Sequence, residues 1–253
     1  MGLKTPSFRL DGKQALVIGA SSGIGRASAV ALGEYGATVT AVARREDALA
    51  KTLAMIEVVG GSASAVVLDV KDLAAVSNLV ASRGPFDILL NAAGMARHAP
   101  ALQTTEEDFT EVTNLNFKSA YFLAQAVAQG LIDAGRGGSL ITISSQMGHT
   151  GGVERAVYAG TKHALEGMTK SMAIEWGKYG IRVNTICPTF IHTELTASTL
   201  DDPKKVHWIE EKIKLGRIGR VEDIMGAVVY LASEASALVT GSSLLIDGGW
   251  TAG

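Results

Sequence analysis

The sequence has little of what crosslinks or breaks a chain: among its 253 residues there are one cysteine and five prolines. A lone cysteine, Cys187, rules out an intramolecular disulfide, and a chain without disulfides fits a reducing compartment, so we expect a cytoplasmic protein. With 47% hydrophobic and 19% charged residues, the chain has ample material for a packed core and little for disorder. Binding through a disordered segment is therefore disfavoured.

An excess of charge of either sign is also missing. The 23 basic and 25 acidic side chains give a net charge of −2 without long runs of one sign, so the basic footprint of a nucleic-acid-binding protein is absent. No stretch offers the ~18 uninterrupted apolar residues of a membrane span, and residues 1–9 lack the apolar core of a signal peptide. The five histidines show no zinc-protease spacing. We expect no nucleic-acid partner, no membrane partner and no metal site.

Short apolar runs typical of buried strands recur along the chain, at 15–18, 38–42, 65–68, 88–90, 140–143, 181–186 and 244–246. Their continuous apolar character is what a parallel sheet covered on both faces requires. Stretches with helical spacing lie between them, for example at 24–35, 46–58, 117–132, 158–176 and 221–232. The chain thus alternates strand and helix.

This alternation predicts an α/β fold with a doubly wound sheet of about seven parallel strands and helices on both faces. The length suits a single domain over residues 1–253, because α/β domains often reach ~250 residues. Segment 189–217 is more polar than a simple connector and is predicted to form a lid over the substrate. Ligands bind beyond the carboxyl ends of the strands in such sheets, so functional residues are expected in the loops that follow them.

Glycine is the one residue in excess, and its placement after the first strand is informative. Residues 19–25 read GASSGIG, and a helix begins there. Glycines at these places permit a tight turn and let backbone N–H groups approach a pyrophosphate at a helix N-terminus. The spacing differs from the standard G-x-G-x-x-G fingerprint, and any tight strand-to-helix turn can carry such glycines. The loop indicates a dinucleotide-binding site, but the glycine spacing alone does not distinguish such a site from an ordinary tight turn.

The end of the second strand bears on which dinucleotide binds. An acid there would hold the ribose 2′-hydroxyl of NAD, whereas an arginine accommodates the 2′-phosphate of NADP. The sequence has Ala43 followed by Arg44 and Arg45. A phosphate ester would gain a charge-assisted pair with Arg44, so NADP is predicted as the preferred cofactor and NAD as the second choice. The alternative is that both arginines are solvated residues at the start of a helix.

The most specific chemical pattern follows the fifth strand. Ser145 comes directly after it, and Tyr158 and Lys162 lie four residues apart in a helical stretch, hence on one helix face. A phenol of pKa ~10 is a poor acid or base at neutrality, but a neighbouring ammonium favours the phenolate. Tyr158 is therefore predicted to carry a proton under the influence of Lys162. Taken alone, the pair could be a surface pair and Ser145 a turn residue.

Together these motifs resemble the short-chain dehydrogenase/reductase family over essentially the whole chain. Its members are Rossmann-type NAD(P)-dependent oxidoreductases. Besides the glycine loop, the resemblance is carried by Asp69-Val70, Asn91-Ala92-Ala93-Gly94, Asn116, Ser145, Tyr158, Lys162 and Asp247-Gly248-Gly249. Because the family commonly forms tetramers, the resemblance also implies a homotetramer.

The resemblance implies a role for each catalytic position. Tyr158 would be the general acid or base, Ser145 would hydrogen-bond the substrate oxygen, and Lys162 would lower the tyrosine pKa. Asn116 would position a relay water, although it could instead cap the helix expected to begin at Phe117. The implied cofactor contacts are Gly19, Ser21, Ser22, Gly23, Ile24, Gly25, Arg44, Asp69, Val70, Asn91, Ala92, Gly94, Tyr158, Lys162, Pro188, Ile191 and Thr193. Two preorganised hydroxyl donors at a carbonyl oxygen stabilise the charge that grows as hydride arrives, so no metal is needed.

One position has an alternative role, and three others depart from the family's usual pattern. Asp69 could instead shape the turn after its strand. Ile18 replaces a threonine common in the family, Ala92 replaces a common second asparagine, and Thr189 stands where glycine is usual. A side chain at Thr189 is expected to reshape the loop beside the nicotinamide.

The resulting hypothesis is an oxidoreductase that transfers hydride between NADP(H) or NAD(H) and a secondary alcohol or ketone, with a preference for NADPH. Segment 188–198 resembles members that act on sugar acids such as gluconate and on polyols, and small cyclic or hydroxy ketones fit equally. Two alternatives stay open. A 3-oxoacyl-thioester reductase of fatty-acid synthesis would want a basic surface for an acidic carrier, and a non-catalytic dinucleotide-sensing regulator would need neither Ser145 nor Tyr158.

Overall fold

The structure is a computed structural model and describes residues 2–253. The strands are β1 (Gln14–Ile18), β2 (Thr38–Ala43), β3 (Ser62–Val67), β4 (Ile88–Asn91), β5 (Gly138–Ile143), β6 (Ile181–Pro188) and β7 (Ser243–Ile246). The helices are α1 (Gly23–Glu34), α2 (Glu46–Val58), α3 (Leu73–Arg83), α4 (Glu106–Thr113), α5 (Ser119–Asp133), α6 (Ala156–Trp176), α7 (Ala197–Leu200), α8 (Pro203–Lys212) and α9 (Glu222–Ala232). Within residues 2–253, no helix combines the length and apolar character needed to cross a bilayer.

All seven strands pair in parallel in one sheet with the order β3-β2-β1-β4-β5-β6-β7. The predicted seven-stranded parallel sheet is therefore confirmed. From β1 the chain first builds outward through β2 and β3, and it then returns to add β4 on the other side of β1. Such a reversal opens a crevice at the carboxyl ends of β1 and β4, where ligands bind in doubly wound sheets.

Two hydrophobic cores, one on each face of the sheet, explain why central strands such as β1 are apolar along their whole length. Side chains alternate across a strand, so Ala15 and Val17 of β1 enter the core with α1, α2 and α9, while Leu16 and Ile18 enter the core with α3, α5 and α6. All four are almost completely buried. Helices on both faces are thus confirmed, and a polar residue at either set of positions would be buried without a partner.

Besides the helix predicted at 117–132, two helices that were not predicted lie between β3 and β5. Side-chain caps start both: Asp72 accepts from the Ala75 amide at 3.0 Å before α3, and Thr105 accepts from the Asp108 amide at 3.1 Å before α4. The helix predicted to begin at Phe117 also differs, because Asn114–Lys118 forms a π-helical turn and α5 begins at Ser119.

The predicted lid, 189–217, contains α7 and α8 and is closed at its base. Ile191 forms a β-bridge with Gly219, and the His192 amide donates to the Gly219 carbonyl at 2.9 Å. A small apolar core joins the lid to the rest of the chain: Ile209 and Ile213 of the lid pack with Ile218, just beyond it, and with partly buried neighbours that include Trp250. The segment is thus fastened both at its base and through this core.

Candidate active site

Two adjoining cavities lie at the carboxyl edge of the sheet. The larger, of about 350 Å³, runs from the glycine loop after β1 to α6, and the smaller, of about 190 Å³, continues under the lid. Five residues line both, namely Ser145, Tyr158, Thr189, Leu195 and Thr196. Two ligands bound in these cavities would therefore meet at Ser145 and Tyr158.

The loop between β1 and α1 can form only with its glycines. Gly19 has φ +79° and Gly23 has φ +51°, in the left-handed region that side chains rarely adopt. A Cβ atom on Gly25 would lie 2.2 Å from the Gly19 carbonyl oxygen. The tight turn therefore brings the backbone to the cavity wall, and α1 starts against it.

Most of the predicted cofactor contacts line the larger cavity. They are Gly19, Ser21, Ser22, Gly23, Ile24, Gly25, Arg44, Asp69, Val70, Ala92, Gly94, Tyr158, Lys162, Pro188, Ile191 and Thr193. Asn91 is the exception: its side chain is buried, and its Oδ1 accepts from the Ala93 amide at 3.1 Å. Asn91 thus shapes the turn after β4 and does not form the cavity wall.

Two arginines follow β2 beside the glycine loop. The Arg45 guanidinium donates to Ser21 Oγ at 3.2 Å and to Ser22 Oγ at 3.1 Å, and it pairs with Glu194 Oε2 at 3.1 Å. Within residues 2–253, the exposed Arg44 guanidinium makes no hydrogen bond or ion pair. Sequence reasoning singled out Arg44 and missed Arg45, because the partners of Arg45 come from a loop 24 residues away and from the lid 149 residues away.

Ser145, Tyr158 and Lys162 come together at the wall of the larger cavity. Ser145 follows β5, Tyr158 and Lys162 lie one turn apart on α6, and all three line the larger cavity. The Lys162 ammonium donates to the Ile143 carbonyl at 2.9 Å and lies 5.6 Å from the centroid of the Tyr158 ring. The end of β5 therefore sets the position of the lysine.

Burial dominates the titration of both α6 groups. It lowers the pKa of Lys162 to about 8, against the opposing charges of Cys187 and Glu166. Burial raises the pKa of Tyr158, against a hydrogen bond from Ser145 and the charge of Arg155. This direction is opposite to the one expected from the Lys162 charge, because desolvation of the phenolate outweighs its favourable neighbours.

Asn116 is held inside the protein and does not line either cavity. From the π-helical turn, its Oδ1 accepts from the Met95 amide at 2.9 Å, and its Nδ2 donates to the Met95 carbonyl at 2.8 Å and to Thr161 Oγ1 at 3.2 Å. The alternative that Asn116 caps α5 is wrong. The side chain instead ties the loop after β4 to the helix that carries Tyr158.

The position of Asp69 is compatible with both of the functions considered for it. Its Oδ1 accepts from the Lys71 amide at 2.9 Å, which shapes the turn after β3, and the residue also lines the larger cavity.

A polar cluster behind Lys162, with Glu166 and Cys187 buried and His149 exposed, was not predicted. Ligand atoms of His149, Glu166 and Cys187 lie within 4.8 Å of one another. The Glu166 carboxylate accepts from Thr185 Oγ1 at 2.8 Å and from the Ser243 hydroxyl. Burial raises the pKa of the Cys187 thiol to about 12, so a cation there would have to displace its proton. Hydrogen bonding from two strands accounts for the carboxylate without a metal.

The smaller cavity carries further polar groups. Arg155 and His98 line it, and the His98 ring lies edge-on to Tyr158 with 6.2 Å between the ring centroids. The buried Gln146 Oε1 and Thr189 Oγ1 have no hydrogen-bond partner among residues 2–253. Sequence reasoning missed Gln146, for which the only signal was its position directly after Ser145.

Comparison with known proteins decides the family. A family model described as Enoyl-(Acyl carrier protein) reductase matches residues 19–251. Gluconate 5-dehydrogenase of Gluconobacter oxydans (strain 621H) is 38% identical over 248 residues, which span 96% of each chain. The chain belongs to the short-chain dehydrogenase/reductase family. As a member of this family, it is an NAD(P)(H)-dependent oxidoreductase that acts on a secondary alcohol or ketone.

Other dehydrogenases and reductases of the family match equally along their length. D-erythrulose reductase of Gallus gallus is 38% identical over 97% of this chain and 98% of its own. The crystal structure of a gluconate 5-dehydrogenase from Burkholderia cenocepacia J2315 in complex with NADP and tartrate has a TM-score of 0.91 and 36% identity, covering 97% of this chain and 98% of that one. These relatives include enzymes named for acids and for neutral sugars.

Proposed function

We propose that this dehydrogenase prefers NADP(H) and interconverts the alcohol and ketone of a polyol or sugar acid, with catalysis by Ser145, Tyr158 and Lys162. The observation that carries the proposal is the position of Ser145 and Tyr158, which line both cavities. A dinucleotide in the larger cavity and a small substrate in the smaller one would come together at these two hydroxyl groups.

The side chains suit proton handling at that junction. The bound nicotinamide supplies or accepts the hydride. In the reduction direction, the Tyr158 hydroxyl donates its proton to the carbonyl oxygen, and the Ser145 hydroxyl donates a hydrogen bond to the same oxygen. In the oxidation direction, Tyr158 accepts the proton of the alcohol. Lys162 would hold the nicotinamide ribose beside them, and Asn116 would position a relay water near the lysine.

The cofactor preference rests on Arg44 and Arg45, which place two cations beside the glycine loop. Charge-assisted pairs are worth about 1.5–3 kcal/mol, so removing Arg44 should raise the Michaelis constant for NADPH by at least tenfold. Arg44→Ala should leave the constant for NADH nearly unchanged. Arg83→Ala, an exposed arginine at the end of α3, is the matched control. Equal effects of Arg44→Ala on both cofactors would disprove recognition of the 2′-phosphate.

A substrate panel tests the reaction itself. The enzyme, with each nicotinamide in turn, is incubated with sugar acids, polyols and small hydroxy ketones, and the absorbance of the reduced nicotinamide is followed. We expect turnover within the panel, with loss of kcat in Tyr158→Phe. If both cofactors bind and nothing is turned over, the proposed reaction is wrong.

The thioester alternative is supported by the description of the matching family model. Against it, the smaller cavity carries Arg155 and an unpaired Gln146 oxygen, which suit a polar substrate better than an acyl chain. Faster turnover of acetoacetyl thioesters than of any polyol or sugar acid would favour this alternative.

The alternative of a dinucleotide-sensing regulator has its own test. A Tyr158→Phe variant that keeps the full biological effect would favour it.

We also propose a homotetramer in a reducing compartment. Tyr121 and Phe122 on α5 and Leu245 on the edge strand β7 are large apolar side chains left partly exposed, and subunit contacts would cover them. Light scattering after size-exclusion chromatography gives the mass directly, and a monomer at micromolar concentration would contradict the assembly.

A further inference from the structure

The most unusual group in the smaller cavity is Arg155, the residue just before α6. Its guanidinium is half-buried, and no carboxylate within residues 2–253 lies within 4 Å of it. Burial lowers its pKa, with weak opposition from Tyr158 and the exposed Glu154, yet a guanidinium remains charged. A partly desolvated cation without an ion-pair partner in the described residues indicates a site for an anionic ligand.

The rest of the cavity wall offers nothing to neutralise that charge. None of the cavity-lining residues is acidic. Apart from the exposed Glu154, which precedes it in the chain and does not line the cavity, the titratable side chains near Arg155 are His98 and Tyr158. Desolvation, followed by the charge of Arg155, lowers the pKa of His98 to about 4, so the ring is neutral at neutral pH. The cavity therefore presents one formal positive charge.

Hydrogen-bonding capacity next to this charge is also unused. Gln146 Oε1 and Thr189 Oγ1 are buried and line the same cavity, and neither has a hydrogen-bond partner in the part of the chain that the structure describes. A carbonyl oxygen accepts from a hydroxyl, and a threonine hydroxyl both donates and accepts. Ligand hydroxyl groups would satisfy both atoms, whereas an apolar ligand would leave them unpaired at a cost.

We propose that Arg155 anchors the carboxylate of a polyhydroxy acid, so that the substrate is a sugar acid and not a neutral sugar or polyol. The inference rests on the proposed function, since it assigns the substrate class of that same site. Arginine holds a carboxylate through two parallel N–H···O bonds, which fix orientation as well as position. With the carboxylate at Arg155, the hydroxyl groups of the chain lie near Gln146 and Thr189, and the reacting carbon faces Ser145 and Tyr158.

The test compares substrates that differ only at the anchoring group. The ratio of kcat/KM is measured with NADP⁺ for matched pairs: gluconate against glucitol, and xylonate against xylitol. We expect the acid to be favoured at least tenfold in one or more pairs. In Arg155→Gln that ratio should fall at least tenfold, because KM should rise much more for the acid than for the neutral substrate. Arg97→Gln is the control, because Arg97 is exposed, pairs with Asp108 and lines neither cavity.

A binding measurement separates this inference from the proposed function. Gluconate should raise the melting temperature of the wild-type complex with NADP⁺, and this increment should vanish in Arg155→Gln while NADP⁺ itself still stabilises the variant. Preference for the neutral substrates, or an increment that survives in Arg155→Gln, would overturn the carboxylate anchor. Binding of gluconate through Arg155 without turnover of any pair would keep the anchor and refute the proposed reaction.

Discussion

Lys162 shows that the site is built at the expense of stability. Its ammonium is almost completely buried and donates to one carbonyl, that of Ile143. Its pKa of about 8 lies below the ordinary value of 10.5, so the folded protein binds this proton less tightly than the unfolded chain does. The loss of unfolding free energy caused by burying the charged ammonium is fully present below pH 8. It disappears as the pH rises from 8 to 10.5.

Replacing Lys162 with methionine should therefore stabilise the fold while abolishing activity. The shift corresponds to about 3 kcal/mol, less ~1 kcal/mol for the lost hydrogen bond, so Lys162→Met should raise the free energy of unfolding by about 2 kcal/mol at pH 7. The gain should shrink above pH 8. Urea unfolding at pH 7 and pH 9.5 measures it, with Lys170→Met on the exposed side of α6 as control. A less stable variant at pH 7 would contradict the assignment.

At the residue scale, the sequence predicted contacts between side chains that lie close together in the chain. Tyr158 and Lys162 lie four apart on one helix, so their proximity follows from helix geometry. Glu166 lies one further turn along the same face, yet its burial depends on hydroxyl groups of β6 and β7. Arg45 likewise contacts Glu194, which is distant in the sequence. Long-range partners of this kind leave no local signal.

At the element scale, an ion pair joins the end of the lid to α9. The Arg217 guanidinium donates to both oxygens of Asp223, at 2.7 and 2.8 Å, and the Arg220 amide donates to Asp223 Oδ2 at 2.8 Å. These bonds lower the pKa of Asp223 to about 2. The carboxylate therefore stabilises the fold above the unfolded pKa near 4, and the contribution is lost as the pH falls towards 2.

Asp223→Asn should loosen the lid more than it unfolds the protein. Because the pair is largely solvent-exposed, we expect a loss of about 1 kcal/mol at pH 7 and a smaller loss below pH 4. Hydrogen exchange should become faster within 189–217 and stay unchanged in β1 and β4. Glu222→Gln, which removes the neighbouring exposed acid of the same helical turn, should change neither. Uniformly faster hydrogen exchange over the whole sheet would contradict the idea that the Arg217–Asp223 ion pair stabilises the lid locally.

The elements also show the limit of sequence periodicity. The capping residues of α3 and α4 were visible in the sequence, but short helices with few buried residues give a weak apolar pattern. Nothing local predicted the π-helical turn at Asn114–Lys118. It places Asn116 against Met95 and Thr161, and these tertiary hydrogen bonds hold the turn in its wide form.

At the scale of the whole molecule, the strand and helix alternation was enough to predict a doubly wound sheet, since short right-handed crossovers leave few other arrangements. The order of the strands, and thus the position of the crevice between β1 and β4, came from the structure. The structure also shows which strands lie at the edges of the sheet. The edge strand β3 is mostly exposed, although residues 65–68 were predicted to form a buried strand.

Cofactor binding should stabilise the entire molecule. At a concentration of 100 Kd, NADP⁺ adds about 2.7 kcal/mol, which for a chain of this size corresponds to a rise of roughly 5–11 °C in melting temperature. NAD⁺ at the same concentration should give a smaller rise. Differential scanning fluorimetry measures both, and the double variant Arg44→Ala/Arg45→Ala should remove the difference. Equal shifts in the wild-type protein would count against a preference for NADP⁺.

Leu195 and Thr196 border both cavities, whereas Gln146 and Arg155 border only the smaller one. A substitution at Leu195 therefore alters the fit of both the dinucleotide and the substrate. A change that improves the affinity for one ligand also changes the affinity for the other. Gln146 and Arg155 are under no such double constraint. New substrate preferences in this lineage can arise at those two positions while the affinity for the dinucleotide stays intact.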